Sequence, residues 1–418
     1  MCYASPHQTQ GNSPMTESEQ SSLISTKKEQ PGFDVARWML LARDKFGKSL
    51  ASQVRELASL TRGRGRLPVK SYYTYRLFDD ERFTPELKRT YVGIDFSGEI
   101  ISKLGDSWHE FASDKPTLTL LLRGSGLPIP ETQALVHPVQ TFLGSERIRS
   151  SEELGDFLRK RAVYPVFTKP TDSVSSLGAA SIDNYDASDD TLCLADGRKV
   201  PVGEYLEGVE PYIASGYLVQ SRMAPHPELA EFLGPKRLGT CRMFVFVDEE
   251  GPVLWRASWR IPTGTSVADN FWRGGNLLAG LDPETGDLIR VVQGLAKEFE
   301  PIEAHPDSHC EFAGKRFPEW QAMRDTVLRA ASAIPKCRLQ GWDVALTDKG
   351  PVLVECEGNG GDPIMTQLPA NKGLLEGRYA RFRDWVDTYA AEQKQKNKNW
   401  RLRRVQTRLG SLFESRKN

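Results

Sequence analysis

The stretch from residue 341 to 361, GWDVALTDKGPVLVECEGNGG, constrains the chain more than any other, because it places several carboxylates where a sheet should not tolerate them. Two runs alternate polar with apolar residues around Asp348-Lys349-Gly350, which predicts a β-hairpin. Alternation turns Trp342, Val344 and Leu346 to one side and Asp343, Ala345 and Thr347 to the other. On the second strand Val352, Val354 and Cys356 oppose Glu355, Glu357 and Asn359. With a three-residue loop, Thr347 faces Pro351 and Asp343 lies across from Glu355, side chains about 5 Å apart. Like charges so placed repel. A cation between them removes the conflict, and the oxygen-only set Asp343, Glu355, Glu357 and Asn359 suits Mg²⁺ holding nucleotide phosphates. A solvated hairpin face without a ligand would show the same alternation.

The remainder of the chain is long enough to complete such a site: 418 residues allow two or three domains with a substantial core. Charged residues are 26% of the total and the formal net charge is zero, which argues against a molecule-wide field for nucleic acid or membrane and leaves partners to local recognition. Cys2, Cys193, Cys241, Cys310, Cys337 and Cys356 are scattered, with no C-x-x-C pair and no metal spacing, as expected of reduced thiols. No apolar run approaches the length of a membrane span, and residues 1 to 30, rich in Ser, Thr and Gln, carry no signal-peptide pattern. The expectation is a soluble, cytoplasmic protein.

Composition and periodicity divide the chain into a disordered leader (1–32), a helical segment and basic linker (33–69), an N-terminal α/β lobe (70–147), a lid (148–223), a large α+β lobe (224–385) and a basic helix (386–418). The linker reading rests on TRGRGR at 61–66. In the last segment Trp400, Leu402, Val405, Leu409, Leu412 and Phe413 recur at helical spacing among lysines and arginines. Such a helix either docks one stripe on its own domain or makes weak contact with anionic lipid or an acidic partner.

A second constellation lies in the lid. PVFTKPTDSVSSLG, residues 165–178, is a strand ending at Lys169 and followed by a turn of small hydroxyl residues. Consecutive backbone N–H groups there can cup phosphate oxygens, with Thr171, Ser173, Ser175 and Ser176 adding hydroxyls, Asp172 beside them and Lys169 a point charge. Lys-Pro-Thr-Asp-Ser also makes a plain loop, and the stretch is not a Walker sequence. Its weight comes from combination with Lys115 and the acidic hairpin.

In order, Asp114-Lys115 with GLPIP, FTKPTDSVSSLG, YLVQSRM and GWDVALTDKGPVLVE resemble the ATP-grasp fold of the D-alanine ligases. More narrowly, SYYTYRLFDDERF, HPELAEF with GTCRMFVF, WRIPTGTSVADNFWRGGNLLAGLDPETG and HPDSHCEFAGKRFPEW resemble the sugar-transfer-associated ATP-grasp branch, which is similar to α-L-glutamate ligases. The matching pieces span about residues 70 to 378.

The resemblance implies an α+β or α/β architecture in which a nucleotide is held between two α+β lobes, and two Mg²⁺ with ATP. It implies that Lys115 and Lys169 hold phosphates under the loop from Thr171 to Gly178. Gln220, Ser221 and Met223 would form the adenine hinge, although Ser221 stands where a glutamate is common. Asp343 and Glu355 would be metal carboxylates. Relatives usually have Glu-x-Asn where this chain has Glu355-Cys356-Glu357-Gly358-Asn359, so either Glu357 takes the asparagine's place or the pair has slid to Glu357 and Asn359. At the substrate end, Arg242 and Arg260 would steady a carboxylate and an acyl-phosphate oxygen, and Asn270, Gly274 and Gly275 would line a loop receiving the developing oxyanion. The activity implied is a ligase joining small-molecule carboxylate and amine substrates. A kinase that phosphorylates its acceptor, or a nucleotide-binding module without catalysis, uses the same parts. His226 and His305 fall in matching motifs with no metal-like partner.

Overall fold

The computed structural model describes residues 33–104, 108–142, 144–172, 178–264, 266, 269–271, 275–293 and 301–414, with backbone alone for 401 and 403–414. Its strands are β1 (Thr132–Val136), β2 (Glu146–Ile148), β3 (Val166–Pro170), β4 (Ala180–Asp186), β5 (Thr191–Leu194), β6 (Lys199–Pro201), β7 (Tyr217–Ser221), β8 (Thr240–Asp248), β9 (Gly251–Ile261), β10 (Leu277–Leu281), β11 (Leu288–Gln293), β12 (Leu339–Thr347) and β13 (Gly350–Glu357). They form two sheets, a seven-stranded one in the order β2-β1-β7-β3-β4-β5-β6 and a six-stranded one in the order β11-β10-β9-β8-β12-β13.

The first sheet redraws a predicted boundary. β1 pairs with β7, and β2 with β1, so residues 132–148 belong to the lid sheet rather than to a separate N-terminal lobe ending at 147. The apolar run Ala134 to Val136 is fully buried and has no other sheet to join. Val136, Phe157, Ile182, Val209 and Val219 make the lid's own core.

The acidic hairpin exists, with a different turn from the one expected. Thr347 pairs with Gly350 and Leu346 with Pro351, leaving the two residues Asp348-Lys349 as the loop. A bulge between Asp343 and Val344 then restores Asp343 to its place opposite Glu355. The expected two-sided hairpin is also revised. β12 is an inner strand between β8 and β13, and every residue from Leu339 to Thr347 is buried, Asp343 included. Trp342, Val344 and Leu346 pack with Met323, Val327 and Ala330 of the helix Trp320–Ala333, as the apolar face requires.

The N-terminal region is part of this body. The run from Phe33 to Leu60 forms two helices, Val35–Phe46 and Leu50–Arg62, capped by Asp34 and Ser49 and separated at Gly47, whose φ is 65°. Tyr72, Tyr73, Phe78 and Tyr91 share a core with Phe271, Leu278, Val292, Ile364 and Leu368 of the large lobe. Gln367 stitches the two together. It donates to the Tyr75 hydroxyl and the Val92 carbonyl and accepts from the amides of Val92 and Leu374, at 2.8 to 3.2 Å.

TRGRGR is therefore a packed turn and not a linker. Leu67 is buried, Gly65 accepts from the Gly93 amide at 3.0 Å, and a Cβ on Gly65 would stand 1.9 Å from the Tyr91 carbonyl oxygen. The boundary expected at 385/386 likewise falls inside one helix, Gly377–Glu414, rooted by Tyr379, Phe382 and Val386. The segment 1–32 lies outside the described residues. Gly65→Ala should destabilise the protein by about 2–4 kcal/mol, because backbone on both sides must shift. Urea unfolding measures this, and a free linker would show no change.

Candidate functional site

The site is assembled where the end of β3 in the first sheet meets the acids of β12 and β13 in the second. Lys115 is the first residue of the helix Lys115–Gly124, whose N-cap Asp114 accepts from the Thr117 amide at 2.8 Å. Its ammonium donates to the Thr171 carbonyl at 3.0 Å and stands 3.4 Å from Glu355 Oε2. One lysine thus touches the lid at Thr171 and an acid of the hairpin.

Lys169 is half-buried beside the same groups. Burial pulls its pKa below the usual lysine value, Lys115 adds to the fall, and Glu355, Asp343 and Asp269 oppose it. Thr171 fixes the entrance to the loop, donating from its amide to the Gly216 carbonyl at 2.9 Å and from its hydroxyl to the Ser215 carbonyl at 2.7 Å. Asp172 is exposed next to it. At the far end the Tyr217 hydroxyl donates to the Gly178 carbonyl at 2.8 Å. Both ends are bolted to the lid sheet. Ser173, Ser175 and Ser176 lie outside the described residues, as does Gly274.

The acids are met by arginines. Arg242 on β8 lies opposite Asp343, donates to it at 2.6 and 3.2 Å, and donates to Glu357 at 2.8 Å. Arg260 on β9 pairs with Asp343 Oδ2, which it shares with Arg242, and is held by the Thr240 hydroxyl at 2.7 and 3.1 Å. Thr240 in turn donates its amide to Asp269 at 2.8 Å, and Asp269 stands 3.7 Å from Arg260. Burial alone would raise the Asp343 carboxyl, yet Arg242 and Arg260 outweigh it and hold the group far below the usual carboxylate range. Asp343 and Arg242 side chains are 2% and 4% exposed, so the pair is an interior salt bridge. Gly361, at φ 77°, lies on this cluster, and a Cβ there would be 2.1 Å from an Arg242 nitrogen.

Thr240 was not among the sequence-derived site residues, although the signal was available: it precedes Arg242 by two residues on one strand.

Three expectations change. Arg242 is engaged by two carboxylates and does not stand open to a substrate. Asn359 lies past the end of β13, exposed, and its side-chain oxygen accepts from the Gly361 amide at 2.9 Å, which takes it out of the acidic group. The hinge is also less open than the pattern implied. Ser221 donates its amide to the Glu131 carbonyl and Arg222 its amide to Pro165, at 2.9 and 3.0 Å, while Gln220 is buried and donates from its side chain to Thr132 at 3.2 Å. Met223, partly exposed, follows directly. Asn270 and Gly275 flank the glycine loop, the Asn270 carbonyl accepting from Asn276 at 2.8 Å and that of Gly275 from Gln293 at 3.2 Å. His226 caps the helix Pro227–Leu233, and His305 is buried with its Nδ1 accepting from Asp307 and Ser308, so both serve turns.

Among the described residues no group of three or more His, Cys, Asp or Glu side chains is placed to hold a metal ion. Mg²⁺ on a nucleotide asks for less, one or two carboxylates with phosphates and water completing the octahedron. Glu355 and Glu357 meet that requirement. They share a strand two residues apart, are hard oxygen donors, and are 26% and 42% exposed, whereas Asp343 has both oxygens committed to guanidinium groups.

Two sheets meeting at paired lysines on one side and a carboxylate hairpin on the other are the plan of the ATP-grasp class. The profile described as Sugar-transfer associated ATP-grasp matches residues 107–381, well over half of the sequence, and the chain belongs to that family. Comparison with curated proteins found no match. Among solved structures, the chain is similar to the D-alanine–D-alanine ligase from Bacillus anthracis, with 13% identity, 72% of this chain and 77% of that one covered, and a TM-score of 0.37. For the D-alanine–D-alanine ligase from Coxiella burnetii the values are 11%, 71%, 62% and 0.36. For the L-amino acid ligase from Bacillus licheniformis they are 12%, 60%, 41% and 0.32, so this chain spans under half of that protein's length.

Replacing Arg242 with methionine should cost about 3–5 kcal/mol in urea unfolding, since it strips a partner from a buried carboxylate. The pH dependence has a definite sign. Asp343 titrates below its unfolded value of about 3.9, so its stabilisation is complete above that pH and is lost as pH falls toward the folded value. Asp343→Asn should flatten the acid limb of the stability curve between about pH 4 and pH 2.

Proposed function

We propose that the protein is an ATP-dependent ligase joining a carboxylate to an amine through an acyl-phosphate. The observation that carries this reading is Lys115, which contacts the phosphate-loop entrance and Glu355 at once while Lys169 lies half-buried beside them. A half-buried lysine amid four acids and three other cations is a poor device for stability, and it fits a triphosphate well.

In this reading Lys115 and Lys169 bind phosphate oxygens, and the loop from Thr171 to Gly178 closes over them with its two ends fixed. Glu355 and Glu357 hold Mg²⁺, which neutralises phosphate charge when bound. Asp343 orients Arg242 and Arg260. With the Ser221 and Arg222 amides already used inside the protein, adenine is met at Met223, whose side chain covers one face.

The reaction balances without a protein nucleophile. A substrate carboxylate oxygen bonds to the γ-phosphorus, and the bond from that phosphorus to the β–γ bridging oxygen breaks, releasing ADP. The amine nitrogen then bonds to the acyl carbon, phosphate departs with the former carboxylate oxygen, and the surplus proton passes to solvent. Arg260, 12% exposed at its side chain, steadies the carboxylate and the oxyanion, with Asn270 and the glycine loop beside it. Closure of the lid keeps water from the acyl-phosphate.

Purified protein given MgATP and pools of acids and amines should release ADP and free phosphate in equal amounts, with a product lighter than its two precursors by one water. Phosphate retained on the product would make it a kinase instead. Lys169→Met should weaken binding of a non-hydrolysable ATP analogue roughly tenfold to hundredfold in calorimetry. Glu355→Gln with Glu357→Gln should raise the Mg²⁺ concentration needed for that binding while sparing the fold.

A further inference from the structure

The basic C-terminal stretch is the one sequence motif that the ATP site does not absorb. The helix Gly377–Glu414 starts inside the fold, with Tyr379, Phe382, Val386 and Ala390 buried and Arg383 bonded to Glu99 at 2.9 Å. Beyond Ala390 its surroundings change. Residues 394–400 are exposed without exception, nearly two helical turns with every face in solvent, and Leu402 follows at 53% exposure. A helix docked along its own domain would bury one side of each turn, and residues 394–400 do not; the helix runs on to Glu414, its residues 391–414 spanning about 36 Å at 1.5 Å per residue.

This length of helix carries a local excess of positive charge. Seven basic residues and two acidic ones fall between 391 and 414, while the whole chain has a formal net charge of zero. The apolar residues are gathered as well. By helical register Leu402, Val405, Leu409, Leu412 and Phe413 occupy one face, and Arg401, Arg404 and Arg408 run along its flank. Among the described residues no helix is long and apolar enough to cross a membrane, so this segment is suited to lie on a surface and not to span one.

We propose that residues 391–414 dock the protein on an anionic membrane surface, the Leu402–Phe413 face at the acyl boundary and the arginines among the lipid phosphates. Nucleic acid would satisfy the charge and leave the apolar face without a partner, and a hydrophobic groove on a protein would satisfy the face and strand the charge. An anionic lipid layer satisfies both. The two halves of the helix divide the work, with residues 377–390 anchoring it in the large lobe and 391–414 reaching the surface. The inference is independent of what the ATP site does.

The test uses the full chain sedimented with vesicles of phosphatidylcholine containing 30% phosphatidylserine, and with phosphatidylcholine alone. The protein should pellet with the first and stay soluble with the second, and 0.5 M NaCl should release it. The triple variant Arg401→Glu, Arg404→Glu, Arg408→Glu should lower the partition coefficient by on the order of a hundredfold. The double variant Val405→Asp, Leu409→Asp should also abolish pelleting although all the arginines remain. Unchanged thermal unfolding of each variant separates lost docking from lost fold. The proposal is overturned if the wild-type chain ignores anionic vesicles, pellets equally with neutral ones, or keeps its binding in either variant. A shift with poly(U) RNA in place of vesicle binding would assign the charge to nucleic acid and overturn it too.

Discussion

Everything in the large lobe turns on Asp343 being shared between two guanidinium groups. A carboxylate that deep in a sheet would ordinarily take a proton, and Arg242 and Arg260 together keep it charged. The arrangement fixes three strands at once, because β8, β9 and β12 each contribute one charge. It also fixes what lies above them. Glu357 is drawn to Arg242, Gly361 must lie flat on the same guanidinium, and Thr240 with Asp269 holds Arg260 from its other side. A cluster of this kind offers little net stability over an apolar core of equal volume, and its worth lies in holding direction and spacing.

The charge balance bears on what the cleft accepts. Arg242, Arg260, Lys115 and Lys169 face Asp343, Glu355, Glu357 and Asp269, four formal charges of each sign. A neutral enclosure has no surplus with which to attract a polyanion. On the proposed function a triphosphate entering it would bring its own counter-charge, with Glu355 and Glu357 receiving a divalent ion that arrives with it. The lysines then act through hydrogen bonds more than through net field.

Much of this was legible in the sequence, and the exceptions are instructive. Strand alternation placed Asp343 and Glu355 opposite one another, as they are, while the small-residue turn after Lys169 falls largely outside the described residues. What alternation could not reveal was a bulge. The expected three-residue loop was wrong by one position at Thr347, and the bulge beside Asp343 compensated for it, so Asp343 met Glu355 for a reason the pattern did not contain. Composition misled at TRGRGR, because basic and glycine-rich residues signal a linker only when nothing approaches them, and Tyr91 does. The lid boundary failed because pairing between β1 and β7 is a contact between distant residues. The commitment of Arg242 to Asp343 was hidden for the same cause, 101 residues separating the partners.

The bulge has a further consequence for how this hairpin tolerates change. It takes up one residue of slack between the tip at Asp348-Lys349 and the paired acids, so the tip is insulated from the chemistry below it. Lengthening the tip would be absorbed in the outer rungs of the ladder, as an expansion joint absorbs strain in a bridge deck. The same addition below the bulge would rotate Glu355 and Glu357 to the opposite side of the sheet.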